Sequence, residues 1–341
     1  MDSLAITAMT ERLTGVVGVA GRESAAAKVA AEYLAPLGEV TVTSLGSVLC
    51  TVCRGEPGAP HLLLEAHLDQ IGLVVTYLEE NGFLRIHTVG GYDRRLLPAA
   101  PVTVHADSGD YAGVISSVPP HLAGKDDKPL KIEDFLVDTG FSTEKAKELF
   151  APGNMITLNQ RFAQLANGRI ATGALDDRIG CVAVIAAAEQ LHREGCRCKV
   201  TVLLASQEEV GGIGSGTAAY QVKPDMAIAV DVSFAEGFGA PEHRCGKLGE
   251  GVMIGIAPVL DNSMTDQLLA FAKKYKLPYQ PEAMGGHTGT DADDLVVTAN
   301  GIRTALLSIP QRNMHTTVET VDMADVMGTA ELMVHFAKEV Q

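Results

Sequence analysis

The stretch HLLLEAHLDQIG, residues 61–72, reads as a strand buried on both faces that ends in a polar string. Leu62, Leu63 and Leu64 show no polar alternation, so neither side of this strand can face water, as expected of an interior strand in a helix-covered sheet. Glu65, Ala66 and His67 follow at its carboxyl end, and Asp69 comes two residues later. In open α/β sheets that end is where loops diverge and ligands bind. Four further strings repeat the theme: ALDDRIG at 174–180, SQEEVGG at 206–212, AVDVS at 229–233 and RNMHTT at 312–317. Together the five strings offer His67, Asp69, Asp176, Glu208, Glu209, Asp231 and His315, an imidazole and carboxylate set without a thiolate.

Outward from that strand, helix and strand patterns alternate in two blocks. The first has an Ala-rich helix over residues 23–34, closed by Pro36 and Gly38, and strands near 39–43, 48–53 and 61–65. The second starts near Asn167. It has a long helix over 174–194 with Asp176 as its N-cap, and short apolar runs at 199–205, 226–232, 252–256 and 303–309. Helical spacing recurs at Met264, Leu268, Phe271, Ala272 and Tyr275, and again at Met323, Val326, Ala330, Val334 and Ala337. The pattern predicts an α/β protein whose central sheet is mostly parallel, with helices on both faces. Between residues 71 and 162 it changes to short strands near 73–77, 84–88, 102–105 and 111–115, split by Gly, Asp and Pro turns. The simplest organisation is a catalytic domain in two parts, 1–70 and 163–341, interrupted by a small inserted β domain at 71–162.

Composition narrows the function. With 42 acidic against 27 basic residues the formal charge is −15, which opposes a polyanionic partner such as nucleic acid. The first fifteen residues carry early acids and no basic-then-apolar leader, and no apolar run approaches a bilayer span, so a cytoplasmic protein without membrane partners is expected. Six cysteines lie at 50, 53, 181, 196, 198 and 245. Cys50 and Cys53 form a CxxC, but on a strand residues three apart face opposite sides, so they are read as incidental thiols rather than chelators.

Each polar string also has a plain reading. Asp176 and Asp177 could simply cap a helix, Glu208 and Glu209 could be solvated, and His315 could be a loop residue. Their coincidence at strand ends, or at the start of the helix facing those ends, favours one site. Asp69 is placed to orient His67, and Asp177 to satisfy helix N–H groups or Arg178. Donors limited to N and O suit two divalent ions, Zn foremost with Co or Mn acceptable.

At these residues the chain resembles the M42 family of metallo-aminopeptidases, the glutamyl and tetrahedral aminopeptidase group. AHLDQIG, ALDDRIG, SQEEVGG, VDVS and MHTTVE match its strings in order, and VGGYDRRLLP, GVISSVPPHL and MGGHTGTDAD resemble further segments. The resemblance implies that Asp176 bridges two metals, with His67 and Asp231 completing one site and Glu209 and His315 the other. It implies Glu208 as general base acting on a metal-bridging hydroxide, Asp69 orienting His67, short peptides as substrates, and release of their N-terminal residues. It also implies a β-barrel or PDZ-like dimerisation domain within a twelve-subunit shell. Gln70 stands where the family usually has Glu, and Ser116–Ser117 where Gly is frequent. Two rivals remain at this level: a glycoside hydrolase using paired carboxylates, and a non-catalytic assembly protein on the same fold. The preferred N-terminal residue is not legible, although residues 237–247 and 284–294 are expected near the pocket.

Overall fold

The computed structural model describes residues 3–119, 121–122 and 130–340. Pro120 of the GVISSVPPHL string therefore lies outside the described residues. In chain order the first elements are helices α1 (Ser3–Thr14) and α2 (Ser24–Leu34) and strands β1 (Val40–Val42), β2 (Val48–Cys53) and β3 (His61–His67). Then come β4 (Gly72–Leu78), β5 (Leu84–Val89), β6 (Pro101–Ala106), β7 (Gly109–Ile115), β8 (Leu136–Asp138), α3 (Thr143–Leu149) and β9 (Met155–Leu158). The remainder comprises β10 (Ala163–Gln164), β11 (Arg169–Thr172), α4 (Leu175–Glu194), β12 (Lys199–Ala205), α5 (Ile213–Val222), β13 (Met226–Phe234) and β14 (Val252–Ile256). It closes with α6 (Asn262–Tyr275), β15 (Tyr279–Ala283), α7 (Ala292–Val297), β16 (Arg303–Gln311), β17 (Glu319–Asp322) and α8 (Met323–Glu339).

Eight strands form one sheet in the order β1-β2-β12-β3-β13-β16-β14-β15. The sheet is mixed: four of its seven neighbour pairings are parallel and three are antiparallel. β3 pairs in parallel with β12 and β13, β13 with β16, and β14 with β15. β1–β2, β2–β12 and β14–β16 are antiparallel. A tight turn through Gly46 joins β1 to β2 without a crossover helix, which makes that pair antiparallel. The apolar runs could not reveal this, because strands buried on both faces look alike in either direction.

Strand alternation sorts β3 between two layers. Leu62, Leu64 and Ala66 pack with α1, α2, α4 and α8 residues, and Leu63 joins Ala218 and Leu295 from α5 and α7. All four are fully buried, and each leucine is worth about 1.5–3 kcal/mol in apolar burial. α4 is buried along most of its length and ends at Gly195, whose φ of +74° lets the chain leave the helix in a conformation that Ala would resist.

Strands β4 to β9 close a six-stranded barrel in the order β4-β5-β8-β7-β6-β9. Its separate core includes Leu73, Ile86, Val104, Val137 and Ile156. A three-stranded sheet, β10-β11-β17, sits beside the long helix, and its Thr172–Glu319 register brings Glu319 to the point where the chain enters α4.

Candidate metal centre

The parallel register of β3 and β12 pairs His67 with Ala205, so both strands finish at one edge. His67 is the last residue of β3, which runs two residues beyond the expected 61–65 strand, and Glu208 and Glu209 follow β12. Asp231 lies within β13 at the same edge. His315 follows β16, which runs beyond the expected end at residue 309 and includes Pro310. On its outer side β14 pairs only at Leu307 and Ser308, so the missing proline N–H breaks no ladder bond there.

Asp176 sits at the centre of the cluster. Its Oδ1 is 3.1 Å from His67 Nε2 and its Oδ2 is 3.2 Å from His315 Nε2. One carboxylate thus faces two imidazoles through different oxygens. His67 Nε2 is also 3.8 Å from Glu208 Oε2 and 4.0 Å from Asp231 Oδ1, and His315 Nε2 is 3.6 Å from Glu209 Oε2. Among the described residues two groups are compact enough to hold an ion: His67 with Asp176 and Glu209, and His67 with Asp177 and Asp231.

The predicted N-cap at Asp176 is not found. Asp176 and Asp177 have non-helical backbone angles, and the Asp176 side chain is committed to the imidazoles. The capping role falls to Asp177, whose Oδ1 accepts from the Gly180 N–H at 3.1 Å while its Oδ2 accepts from the His67 N–H at 3.2 Å. Arg178 turns away from both acids. Fully buried, it donates to the carbonyls of Leu68 at 3.0 Å and Leu13 at 2.8 Å, so it ties α1 to the loop after β3.

Asp69 is fully buried, with Oδ1 3.4 Å from His67 Nδ1. Its two oxygens accept from the Glu208 N–H at 3.0 Å and the Glu209 N–H at 3.1 Å. One side chain therefore stands against the imidazole, whose Nδ1 itself makes no hydrogen bond, and holds the Glu-Glu loop. Glu319, quoted in a string but given no role from sequence, does the same on the other side. Its Oε2 accepts from the N–H groups of Leu175 at 2.8 Å and Asp176 at 3.1 Å, and its Oε1 from the His315 N–H at 2.9 Å. The signal available was an acid four residues after His315, the one charge in the run Thr316–Val321. Asp291 was similarly missed within MGGHTGTDAD: it is buried beside Glu65 and accepts from Ser215 Oγ at 2.6 Å. The loop after β5 presses on the site. A side chain at Gly90, whose φ is +73°, would lie 3.1 Å from Glu209 Oε2.

The electrostatics are those of excess negative charge. Burial pushes the Glu208 carboxyl up to about 7 and Glu209 to about 9, with neighbouring Asp176 adding to both. Asp231 is raised well above the usual range by burial and by Asp176 and Glu208. For Asp176 burial acts upward, but hydrogen bonds from His315 and His67 outweigh it and hold the carboxyl low. His67 moves well above its ordinary value, because Asp176 and Asp69 overcome burial. Glu209 Oε1 is buried without a hydrogen-bond partner, an arrangement that costs stability unless a cation takes it up. The donor set of two imidazoles and several carboxylates fits divalent ions.

The cluster lines a cavity of about 340 Å³ bounded by Thr288, Gly289 and Thr290, which opens beside a larger cleft of about 1030 Å³. Phe234 and Met314 belong to both walls, and residues 237–242 edge the larger one. Of the two loops expected near the pocket, 284–294 lines the cavity through Thr288–Thr290, and 237–247 lines the neighbouring cleft.

The fold, with such a cluster at its carboxyl edge, is shared with the peptidase class of hydrolases. Residues 46–332 match the family model for M42 glutamyl aminopeptidases, and the chain belongs to that family. It is 34% identical to the lysyl aminopeptidase of Pyrococcus furiosus over 86% of this chain and 85% of that protein. Among solved structures, an aminopeptidase from the archaeon Desulfurococcus kamchatkensis superposes with a TM-score of 0.93 at 30% identity, covering 99% of this chain and 96% of that one. The TET1 peptidase of Pyrococcus horikoshii, which can assemble into a tetrahedron or a large octahedral shell, gives 0.87 at 30% identity over 98% and 100%. The chain is a peptidase. Among the described residues no helix is long and apolar enough to cross a membrane.

Proposed function

We propose that this peptidase removes N-terminal residues from short peptides with two divalent ions held at the cluster. The observation that carries this is Asp176, whose two oxygens face two different imidazoles at 3.1 and 3.2 Å. Asp176 would bridge the ions, with His67 and Asp231 completing one site and Glu209 and His315 the other. Ions bound there supply Lewis-acid polarisation of the scissile carbonyl and an acidified water.

The protein's own residues do the rest. Glu208 is aimed at the cluster but is not needed as a ligand in this scheme. It takes the proton from the attacking water and returns it to the leaving amine. Asp69 and Glu319 keep the donors in register through the backbone N–H groups they hold. The free α-amino group of the substrate is drawn by the net negative wall of the cavity. Assembly follows the same reading: dimers made through the barrel domain, residues 71–162, build a homododecameric shell like the tetrahedron formed by the TET1 peptidase.

Metal analysis should return close to two ions per chain, and a chelator should abolish cleavage of a free-amine peptide. A peptide with an acetylated N-terminus should resist the loaded enzyme. Full activity in chelator, or equal cleavage of the blocked peptide, overturns the proposal.

A further inference from the structure

Three of the six cysteines gather far from the candidate centre. Cys53 ends β2, and Cys196 and Cys198 flank the turn between α4 and β12. Cys53 Sγ lies 3.5 Å from the Cys196 carbonyl, and Cys196 Sγ lies 3.3 Å from the Cys198 carbonyl. Cys196 thus touches both of the others, Cys53 through its carbonyl and Cys198 through its thiol.

The backbone holds these segments together. The Glu56 N–H donates to the Arg197 carbonyl at 2.7 Å, and the Lys199 N–H donates to the Pro60 carbonyl at 3.0 Å. At Gly55 a Cβ would fall 2.5 Å from the Lys199 nitrogen, so the approach is closer than any side chain allows. The three thiols are not equivalent. Cys198 is fully buried and its thiol donates to the Ala337 carbonyl at 2.9 Å, whereas Cys53 and Cys196 are both half-buried and open to a small reagent. Cys196–Cys198 pairing would also have to close a ring over a single residue.

We propose that Cys53 and Cys196 form a reversible disulfide with a low-molecular-weight disulfide as oxidant, a redox clasp between the end of β2 and the turn before β12. One thiolate attacks the small disulfide, forming a mixed disulfide and expelling one thiolate. The second cysteine's thiolate then attacks the protein sulfur and expels the other, so two protein thiols are oxidised and two small thiols are produced, which take up the two protons. The β3–β12 register pairs Lys199 with His61 at this end and Ala205 with His67 at the other. A seven-residue strand separates the clasp from the candidate centre by roughly 20 Å. Closing it should restrain the unfolded chain without touching catalysis.

The test treats the purified full-length protein with oxidised glutathione, quenches in acid, alkylates free thiols under denaturing conditions and maps peptides without reduction. The expected product joins the Cys53 and Cys196 peptides, with Cys198 alkylated. Thermal unfolding should rise by roughly 5 °C or more, since the bridge closes a loop of more than a hundred residues, with peptidase turnover unchanged. Dithiothreitol should reverse both changes, and Cys53→Ser should abolish them. Alkylation of both Cys53 and Cys196, a link through Cys198, a stalled glutathione adduct or an unmoved Tm at full cross-linking each overturns the clasp.

Discussion

Glu319→Gln tests how the site is held without altering any proposed ligand. The native carboxylate receives three backbone N–H groups at 2.8, 3.1 and 2.9 Å, those of Leu175, Asp176 and His315. Its side chain is almost fully buried, so water cannot replace a lost partner. A glutamine has one acceptor oxygen and one amide nitrogen. If the oxygen keeps the Leu175 and Asp176 groups, the nitrogen opposes the His315 N–H. The reverse orientation strands two donors instead. The better orientation leaves one buried donor unpaired, at a cost of about 1–3 kcal/mol. Because the stranded group belongs to a proposed ligand, much of that cost should appear in metal affinity, as a loss of roughly 10- to 100-fold. Competition titration of the metal-free protein with a chromogenic chelator reads the affinity, and urea unfolding of the same sample reads the stability. Affinity within twofold of wild type together with unchanged stability would refute the positioning role.

Other substitutions divide the site further. Asp69→Asn removes the acceptor shared by the Glu208 and Glu209 N–H groups and loosens His67, so metal affinity should fall at least about tenfold while the fold survives by circular dichroism. His315→Ala should leave close to one ion per chain by metal analysis, and retention of two would contradict its assignment. Adding zinc to metal-free protein at about 100 times its dissociation constant should stabilise the fold by about 2.7 kcal/mol, seen as a higher Tm. His61, remote from the centre, gives a pH signature. Burial, with Lys199 nearby, lowers its imidazole to about 4, so the unfolded chain binds a proton that the folded chain refuses between about 6.5 and 4. Its contribution is intact above pH 6.5 and fades as the pH falls through that window, by about 1–2 kcal/mol at pH 5. The wild-type protein should therefore lose more stability than His61→Gln between pH 7.5 and pH 5, and parallel profiles would exclude the assignment.

Much of the centre was legible because its residues sit where apolar runs stop. His67, Asp69, Glu208 and Glu209 announce themselves as polar groups after interior strands, and the structure brings them to one edge with Asp176, Asp231 and His315. Direction within the sheet was not legible, since Val48–Cys53 and Lys199–Ala205 carry no mark of being antiparallel neighbours. Nor was the division between Asp176 and Asp177, because two adjacent acids at a helix start look like a cap whichever of them does the capping. Glu319 and Asp291 escaped for a related reason: their work is done on backbone N–H groups and a serine hydroxyl brought in from distant segments, which no local spacing encodes. Cys50 and Cys53 both lie on β2, as the strand reading of residues 48–53 implies. Cys53 meets Cys196, a partner 143 residues away that only the sheet supplies.

The most direct test is turnover by Glu208→Gln, measured on a short free-amine peptide with the metal content of the same sample determined. A general base in the chemical step predicts turnover lower by roughly 100- to 10,000-fold with close to two ions per chain still bound. Near-normal turnover at full metal occupancy would contradict it.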